Sequence, residues 1–260
     1  QKRRKTMPVE HANRIAVVTG AAEGIGRSYA ERMAQDGHDV IVIDRLSADG
    51  TRALVEKAGT KFEFLKCELE DPESVKSVVE QIITRHGGCD ILINNAAIGS
   101  QRSFDSINFD MLRQMLAINV EAPFLLSQGL VEPMRRRGWG RIVNITTGAL
   151  NLSLGGFVDY LMSKGALLGF TRALASELGS AGITVNAIAP GLVKTPMTLG
   201  GRAGHAKLPE MMFDAVTGMQ SIKRSQMPAD LVGTMSFLTS DDAGFLTGQV
   251  IYCDGGVVRV

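Results

Sequence analysis

Tyr160 and Lys164 stand four residues apart in the run Tyr160-Leu161-Met162-Ser163-Lys164. On a helix that spacing sets both side chains on one face. A free tyrosine loses its proton near pH 10, too high to serve as a base at neutral pH. An ammonium beside it favours the phenolate and lowers that pKa, so the pair can give or take a proton near pH 7. The same spacing on an exposed helix is an ordinary surface pair. Its meaning depends on what the rest of the chain brings to it.

A second device lies near the start. Residues 14–19 read as a short buried strand, followed by Gly20-Ala21-Ala22-Glu23-Gly24-Ile25-Gly26 and an amphipathic helix over 27–36. Strand, glycine turn and helix start together form a phosphate cradle. Glycine lets the backbone approach a pyrophosphate, and the first helical N–H groups face its charge. The spacing is T-G-x-x-x-G-x-G, and the context of strand before and helix after is the one such a turn requires. Residues 39–44 read as the next buried strand, and it ends on Asp44. A carboxylate there can meet the ribose hydroxyls of NAD and repel the 2′-phosphate of NADP. Glu23 adds to that preference. Arg45, next door, is the counterweight, because a guanidinium can receive a phosphate.

The elements that must hold these groups alternate strand and helix. Strands are expected at 61–66, 90–94, 141–146, 184–189 and 249–253. The apolar continuity of 90–94 suits a parallel sheet covered on both faces. Asp71 and Pro72 open a helix, a long helix is expected over roughly 109–137, and the helix carrying Tyr160 runs to about 178. With right-handed crossovers this gives an α/β, Rossmann-type, doubly wound parallel sheet of seven strands, helices on both faces, in a single domain. Ligands bind at the strand C-terminal ends of such a sheet, where Gly20, Asn95, Thr147 and Pro190 fall.

Composition narrows the classes. The chain has 260 residues, 45% of them hydrophobic, enough for one large core. Cys67, Cys89 and Cys253 show neither C-x-x-C pairing nor metal spacing, so no metal site is expected, and they read as buried thiols of a reducing, cytoplasmic compartment. No apolar run reaches the length of a membrane span, so no membrane partner is expected. Residues 1–6 carry a basic cluster, read as a tail ahead of a catalytic domain over 7–260. Without that cluster the chain is slightly acidic, and no nucleic-acid partner is expected.

The chain resembles the short-chain dehydrogenase/reductases from residue 14 to its end. The family's signature pieces occur in order: Thr19-Gly20 to Gly26, Asn94-Asn95-Ala96-Ala97, Asn119, Thr147, Tyr160 with Lys164, and Pro190-Gly191. Within it the chain looks most like NAD-dependent oxidisers of secondary or aryl alcohols, such as 1-phenylethanol dehydrogenases. The resemblance implies a catalytic set of Asn119, Thr147, Tyr160 and Lys164. Tyr160 exchanges the substrate proton. Lys164 lowers its pKa and holds the nicotinamide ribose. Thr147, thirteen residues ahead, stands where the family has serine. Asn119 distorts its helix and binds a water that relays protons from the lysine. For the cofactor, NAD, the resemblance implies Gly20, Glu23, Gly24, Ile25, Gly26 and Asp44, then Glu68, Leu69, Asn95 and Ala96, and finally Pro190, Gly191, Val193 and Thr195 at the carboxamide. Ala97 replaces a family glycine, and Glu68 a family aspartate. A homotetramer is also implied.

Substrate information is expected in residues 197–227, read as a lid with a helical run at 209–218 and with Met211, Met212, Phe213 and Met219 as adaptable apolar contacts. Ile98, Leu150, Leu152 and Phe157 flank the catalytic strand and helix. That wall offers no obvious arginine for a substrate carboxylate. The expected substrate is a small, mostly apolar secondary alcohol or ketone. An NADP-linked 3-oxoacyl-thioester reductase, or a non-catalytic dinucleotide sensor, are the competing readings.

Overall fold

A computed structural model describes residues 13–99, 101–152, 154–200 and 207–259. The basic segment 1–6 and residues 201–206 of the expected lid lie outside the described residues. Seven parallel strands form one sheet: β1 (Ile15–Thr19), β2 (Asp39–Asp44), β3 (Phe62–Lys66), β4 (Ile91–Asn94), β5 (Gly140–Ile145), β6 (Ile183–Pro190) and β7 (Val250–Cys253). Their order is β3-β2-β1-β4-β5-β6-β7. The chain therefore winds one way from β1 and the other way from β4. The crevice between the ends of those two strands is where such a sheet takes a ligand.

The central strands β1, β2, β4, β5 and β6 are buried on both faces, the edge strands β3 and β7 only partly, and alternate residues serve opposite layers. Ala16 and Val18 of β1 join a core with Tyr29, Met33, Leu231 and Met235. Val17, between them, joins the other core with Val78, Ile82, Leu126 and Met134. The first layer is closed by α1 (Gly24–Gln35), α2 (Asp49–Lys57) and α8 (Val232–Thr239), the second by α3 (Pro72–His86), α5 (Ala122–Arg137) and α6 (Val158–Leu178). The remaining helices are α4 (Phe109–Leu116) and α7 (Glu210–Met219).

Local chemistry sets several of these boundaries. Pro72 sits in the first turn of α3, and the Asp71 carboxylate accepts from Glu73 N at 3.1 Å, a side-chain cap. Asn108 caps α4 through Met111 N at 2.9 Å. Helix α1 begins at Gly24, three residues ahead of the expected 27, because Arg27 N already donates to Glu23 O at 3.2 Å and closes the first turn inside the glycine segment. The helix expected over 109–137 is interrupted. Residues Ala117–Glu121 form a π turn, in which the N–H of Ala122 reaches back five residues to the carbonyl of Ala117. Helices α2 and α8 were not expected. Only Thr51 and Val55 of α2 are buried, and α8 is apolar without a helical period, so neither carries a strong pattern.

A polar thread crosses the core. Asn94 Nδ2 donates to Asn144 Oδ1 at 2.8 Å across β4 and β5, and Asn144 Nδ2 donates to Thr171 Oγ1 at 2.9 Å on α6. All three residues are buried. The thread fixes α6 against β5 at one register, which apolar packing alone does not enforce. Thr171→Val keeps the shape but strands the Asn144 amide, a cost of about 1–3 kcal/mol. Urea denaturation should show that loss, and an unchanged midpoint would mean the thread carries no stability.

Candidate active site

The cradle is built by tying down its carbonyls. Thr51 Oγ1 donates to Ala21 O at 2.6 Å, and Arg27 donates to Ala22 O from Nε at 3.1 Å and Nη2 at 2.5 Å. Glu23, at the N-cap of α1, makes no side-chain capping hydrogen bond, unlike Asp71 at α3 and Asn108 at α4, so the helix start suits an anion. Gly20 has φ +65°, and a Cβ on it would lie 2.8 Å from the Cα of Ala96, which closes β1 against β4. A Cβ on Gly26 would lie 2.3 Å from the carbonyl oxygen of Gly20. Thr19 Oγ1 accepts from Asn95 N and Ala96 N, both at 3.0 Å, while Asn95 Nδ2 donates to Thr19 O at 2.9 Å and Gly20 O at 3.1 Å. Asn95 thus serves the turn itself. Thr19 opens the glycine motif in the sequence but carried no role of its own there, although it is the acceptor on which two strand ends converge.

Asp44 ends β2 with its side chain buried. Oδ2 accepts from Ala22 N at 2.9 Å and Oδ1 from Leu46 N at 3.0 Å, so the carboxylate is fixed at the rim of the glycine turn. Arg45 is exposed. At the end of β3 the Glu68 side chain is exposed, its N–H donating to Ser74 Oγ at 3.2 Å, and Leu69 packs partly into the core. On the far side, Gly191 N donates to Gln226 Oε1 at 3.0 Å, and Thr198 Oγ1 donates to Val193 O at 2.8 Å. Thr195 lies beside the cradle, its Cβ 3.6 Å from where a Cβ on Gly24 would be. A groove that joins an uncapped helix start, a fixed carboxylate and this loop suits an extended dinucleotide. In such a site backbone N–H groups would donate to the phosphates, the Asp44 carboxylate would accept from a ribose hydroxyl, and the Val193–Thr195 backbone and hydroxyl would meet an amide.

Lys164 is buried, and its Nζ donates to Ile145 O at 2.7 Å, at the end of β5. Burial pulls its pKa down from the ordinary 10.5 to about 8. Its Nζ is 5.9 Å from the centroid of the Tyr160 ring. Tyr160 departs from expectation. Burial raises its pKa, and a hydrogen bond with Thr147 opposes the rise. Burial outweighs the lowering expected from Lys164, because each group loses hydration as it enters the fold. Thr147 caps a short helical turn, accepting from Ala149 N at 3.2 Å. Thr146 points the other way, as strand alternation requires, and donates to Ile188 O at 3.1 Å.

Asn119 is fully buried in the π turn. Its Oδ1 accepts from Ile98 N at 2.9 Å, and its Nδ2 donates to Ile98 O and to Ser163 Oγ, both at 2.9 Å. Ser163 in turn donates to the Tyr160 carbonyl at 2.7 Å. The asparagine therefore joins the loop after β4 to the turn that holds both Tyr160 and Lys164. Ser163 was missed, although it lies between them in sequence.

Of the expected substrate contacts, Ile98, Leu150, Leu152 and Phe157 are all partly buried, and the Phe157 ring centroid lies 6.4 Å from that of Tyr160. The four expected contacts of residues 209–219 do not share a face. Phe213 is buried, Met212 is partly buried, and Met211 and Met219 are exposed. Helix α7 is fastened to the Pro190–Thr195 loop by Lys194, whose Nζ lies 2.6 Å from Glu210 Oε1 and 5.0 Å from the Phe213 ring centroid. Arg102 pairs with the residue directly before Tyr160, its Nε lying 3.8 Å from Asp159 Oδ2. Nothing in its local sequence marked it.

The arrangement can exchange a proton between Tyr160 and a substrate oxygen at the mouth of a dinucleotide groove. Known proteins are similar. A family model described as "Enoyl-(Acyl carrier protein) reductase" matches residues 20–258. The (2S)-[(R)-hydroxy(phenyl)methyl]succinyl-CoA dehydrogenase subunit BbsD of Thauera aromatica is 36% identical, over 94% of this chain and 96% of that protein. The 3-oxoacyl-[acyl-carrier-protein] reductase FabG of Escherichia coli is 34% identical, over 95% and 98%. A crystal structure from Beutenbergia cavernae, described as a putative NAD(P)-dependent gluconate 5-dehydrogenase with NADP bound at low occupancy, matches with a TM-score of 0.87. It is 34% identical, over 95% of this chain and 97% of that one.

The buried ammonium has a pH signature. Between pH 8 and 10.5 the unfolded chain binds the Lys164 proton more tightly than the fold does, so stability from this group rises with pH over that window. Below pH 8 both states are charged and the whole burial cost is felt. Lys164→Met removes that cost. Its stability relative to the parent should be greatest near pH 7 and decline by about 3 kcal/mol towards pH 10.5. Denaturant melts at both pH values check this, and a difference independent of pH would refute it.

Proposed function

This chain belongs to the short-chain dehydrogenase/reductase family, and on that premise we propose that it moves a hydride between NAD and a mostly apolar secondary alcohol or its ketone. Membership makes it an oxidoreductase with a nicotinamide cofactor. The observation that carries the finer reading is the convergence of Tyr160, Thr147 and Lys164 at the end of β5, one side of a groove whose other side holds Asp44. The fixed Asp44 carboxylate supports NAD, because it repels a 2′-phosphate. The BbsD relative supports the secondary alcohol of that class, since its name carries a hydroxyl on a phenyl-bearing carbon, while the succinyl-CoA of the same name belongs with the thioester reading.

When bound, the nicotinamide accepts or returns the hydride and, oxidised, carries a positive charge. Tyr160 takes the proton of the alcohol hydroxyl, or returns it to the ketone oxygen. The Thr147 hydroxyl holds that oxygen and the phenol together. Lys164 brings the positive charge that favours phenolate, and its pKa near 8 lets it pass a proton onward at mild pH. Asn119 holds the turn beneath them through Ser163. Ile98, Leu150, Leu152 and Phe157 offer the apolar wall.

Assembly follows the same reading. Phe109 and Met111 on α4, Phe124 on α5, and Val158 and Met162 on α6 are exposed apolar side chains, and the Phe124 and Phe170 rings meet at 5.9 Å. A homotetramer covers them.

An alcohol panel assayed with NAD and NADP at the reduced-nicotinamide band tests the activity. NAD should be preferred by kcat/KM, with aryl or alicyclic secondary alcohols turned over. Tyr160→Phe should lower kcat about 10²–10⁴-fold and leave the NAD Kd near the parent's. Asp44→Ser should shrink the NAD preference by about tenfold, roughly 1.4 kcal/mol. The FabG relative and the NADP-bound structure give the competing reading its substance. Faster reduction of 3-oxoacyl thioesters with NADPH than of any ketone with NADH would establish that reading instead.

A further inference from the structure

We infer that the ion pair between Arg102 and Asp159 is a strap that holds the Tyr160 phenol in its working orientation. Asp159 is almost wholly buried, at 1% exposure, in the first turn of α6. An acid there interacts favourably with the helix dipole, and that explains its Oδ1, which accepts from Tyr160 N at 2.9 Å. It does not explain Oδ2. That oxygen is buried, makes no hydrogen bond among the described residues, and faces Arg102 Nε at 3.8 Å. A buried carboxylate is retained at a cost unless a cation stands by it. Arg102 comes from another part of the chain, the loop after β4.

That loop is held at both ends. Ile98 is bonded through its N–H and its carbonyl to the Asn119 amide. Arg102 N donates to Gly156 O at 2.9 Å, and its guanidinium meets Asp159. Between these anchors Gly99 lies close against the tyrosine ring: a Cβ there would stand 2.8 Å from Tyr160 Cδ2 and 3.0 Å from Cε2. The Phe157 ring centroid lies 6.4 Å from that of Tyr160. Gly99 thus serves as a plate against the ring, and Arg102 is the fastening on the side that Asn119 does not hold. Released there, the plate lifts and the phenol is free to swing from Thr147. Arg102 and Asp159 are positioning residues that act through Tyr160.

The inference rests on Tyr160 being the proton-exchanging group, and Tyr160→Phe is assayed alongside. The probe is whichever alcohol the parent enzyme oxidises with its preferred cofactor. Arg102→Gln and Asp159→Asn should each lower kcat about tenfold with the cofactor Kd within about twofold of the parent. Arg102→Lys should recover most of the activity. The double variant should be no worse than the poorer single one, because both remove one interaction. The limb of the oxidation profile that rises with pH should move to higher pH in the single variants, since the phenol loses the Thr147 hydrogen bond that holds its pKa down. A loss of fold alone would not move that limb. Should Arg102→Gln fail to fold with its carboxylate stranded, Asp159→Asn decides the question, because it removes the buried charge. Folded variants with kcat within about twofold of the parent, or additive losses, would overturn the strap. Retained activity in Tyr160→Phe would instead remove the reading beneath it.

Discussion

The site depends on an ammonium held in a place without water. Lys164 is buried and meets the carbonyl that ends β5 at 2.7 Å, so helix α6 cannot slide or turn on the sheet without stranding a charge. Tyr160 is one turn away on the same helix and inherits that rigidity. The cost is visible in the lysine itself, whose pKa falls to about 8. A buried charge is a poor source of stability but a strong constraint on geometry, and here the geometry is what a proton-transfer site requires.

The neighbouring polar groups repeat the theme. Asn94, Asn144 and Thr171 thread the core from β4 to α6, and Asn119 ties a π turn to the loop after β4 and to Ser163. Each is buried and hydrogen-bonded to another element of the fold. Apolar packing fills space and tolerates small shifts, whereas a buried amide accepts one arrangement only. The apolar layers make the sheet, and these few polar contacts place α6 on it.

At the cofactor side the constraint is backbone approach. Gly20 and Gly26 let β1, β4 and α1 come closer than any Cβ permits, and Thr51 and Arg27 occupy the carbonyls so that the N–H groups remain for an anion. Asp44 is fixed by two backbone N–H groups at the same rim. In the proposed reading, binding and chemistry fall on separate strand ends, β1 and β2 for the one and β5 with α6 for the other. The topological switch between β1 and β4 lies between them.

The strands, the glycine turn and the Tyr160–Lys164 spacing were already legible in the chain. These are local patterns: apolar runs, glycines at a turn, residues four apart on a helix. Asn119 was legible as well, because an amide amid apolar helical neighbours has few uses, and the π turn it occupies agrees. Helices α2 and α8 escaped notice, since few of their residues show a period. The direction of the Tyr160 shift was decided by tertiary structure alone, because burial depends on everything packed around the ring. So were the roles of Thr19, Ser163, Arg102 and Asp159. Each acts on residues brought near by the folded sheet, and the distance in sequence from Arg102 to Asp159 gives no sign that a loop and a helix start will meet.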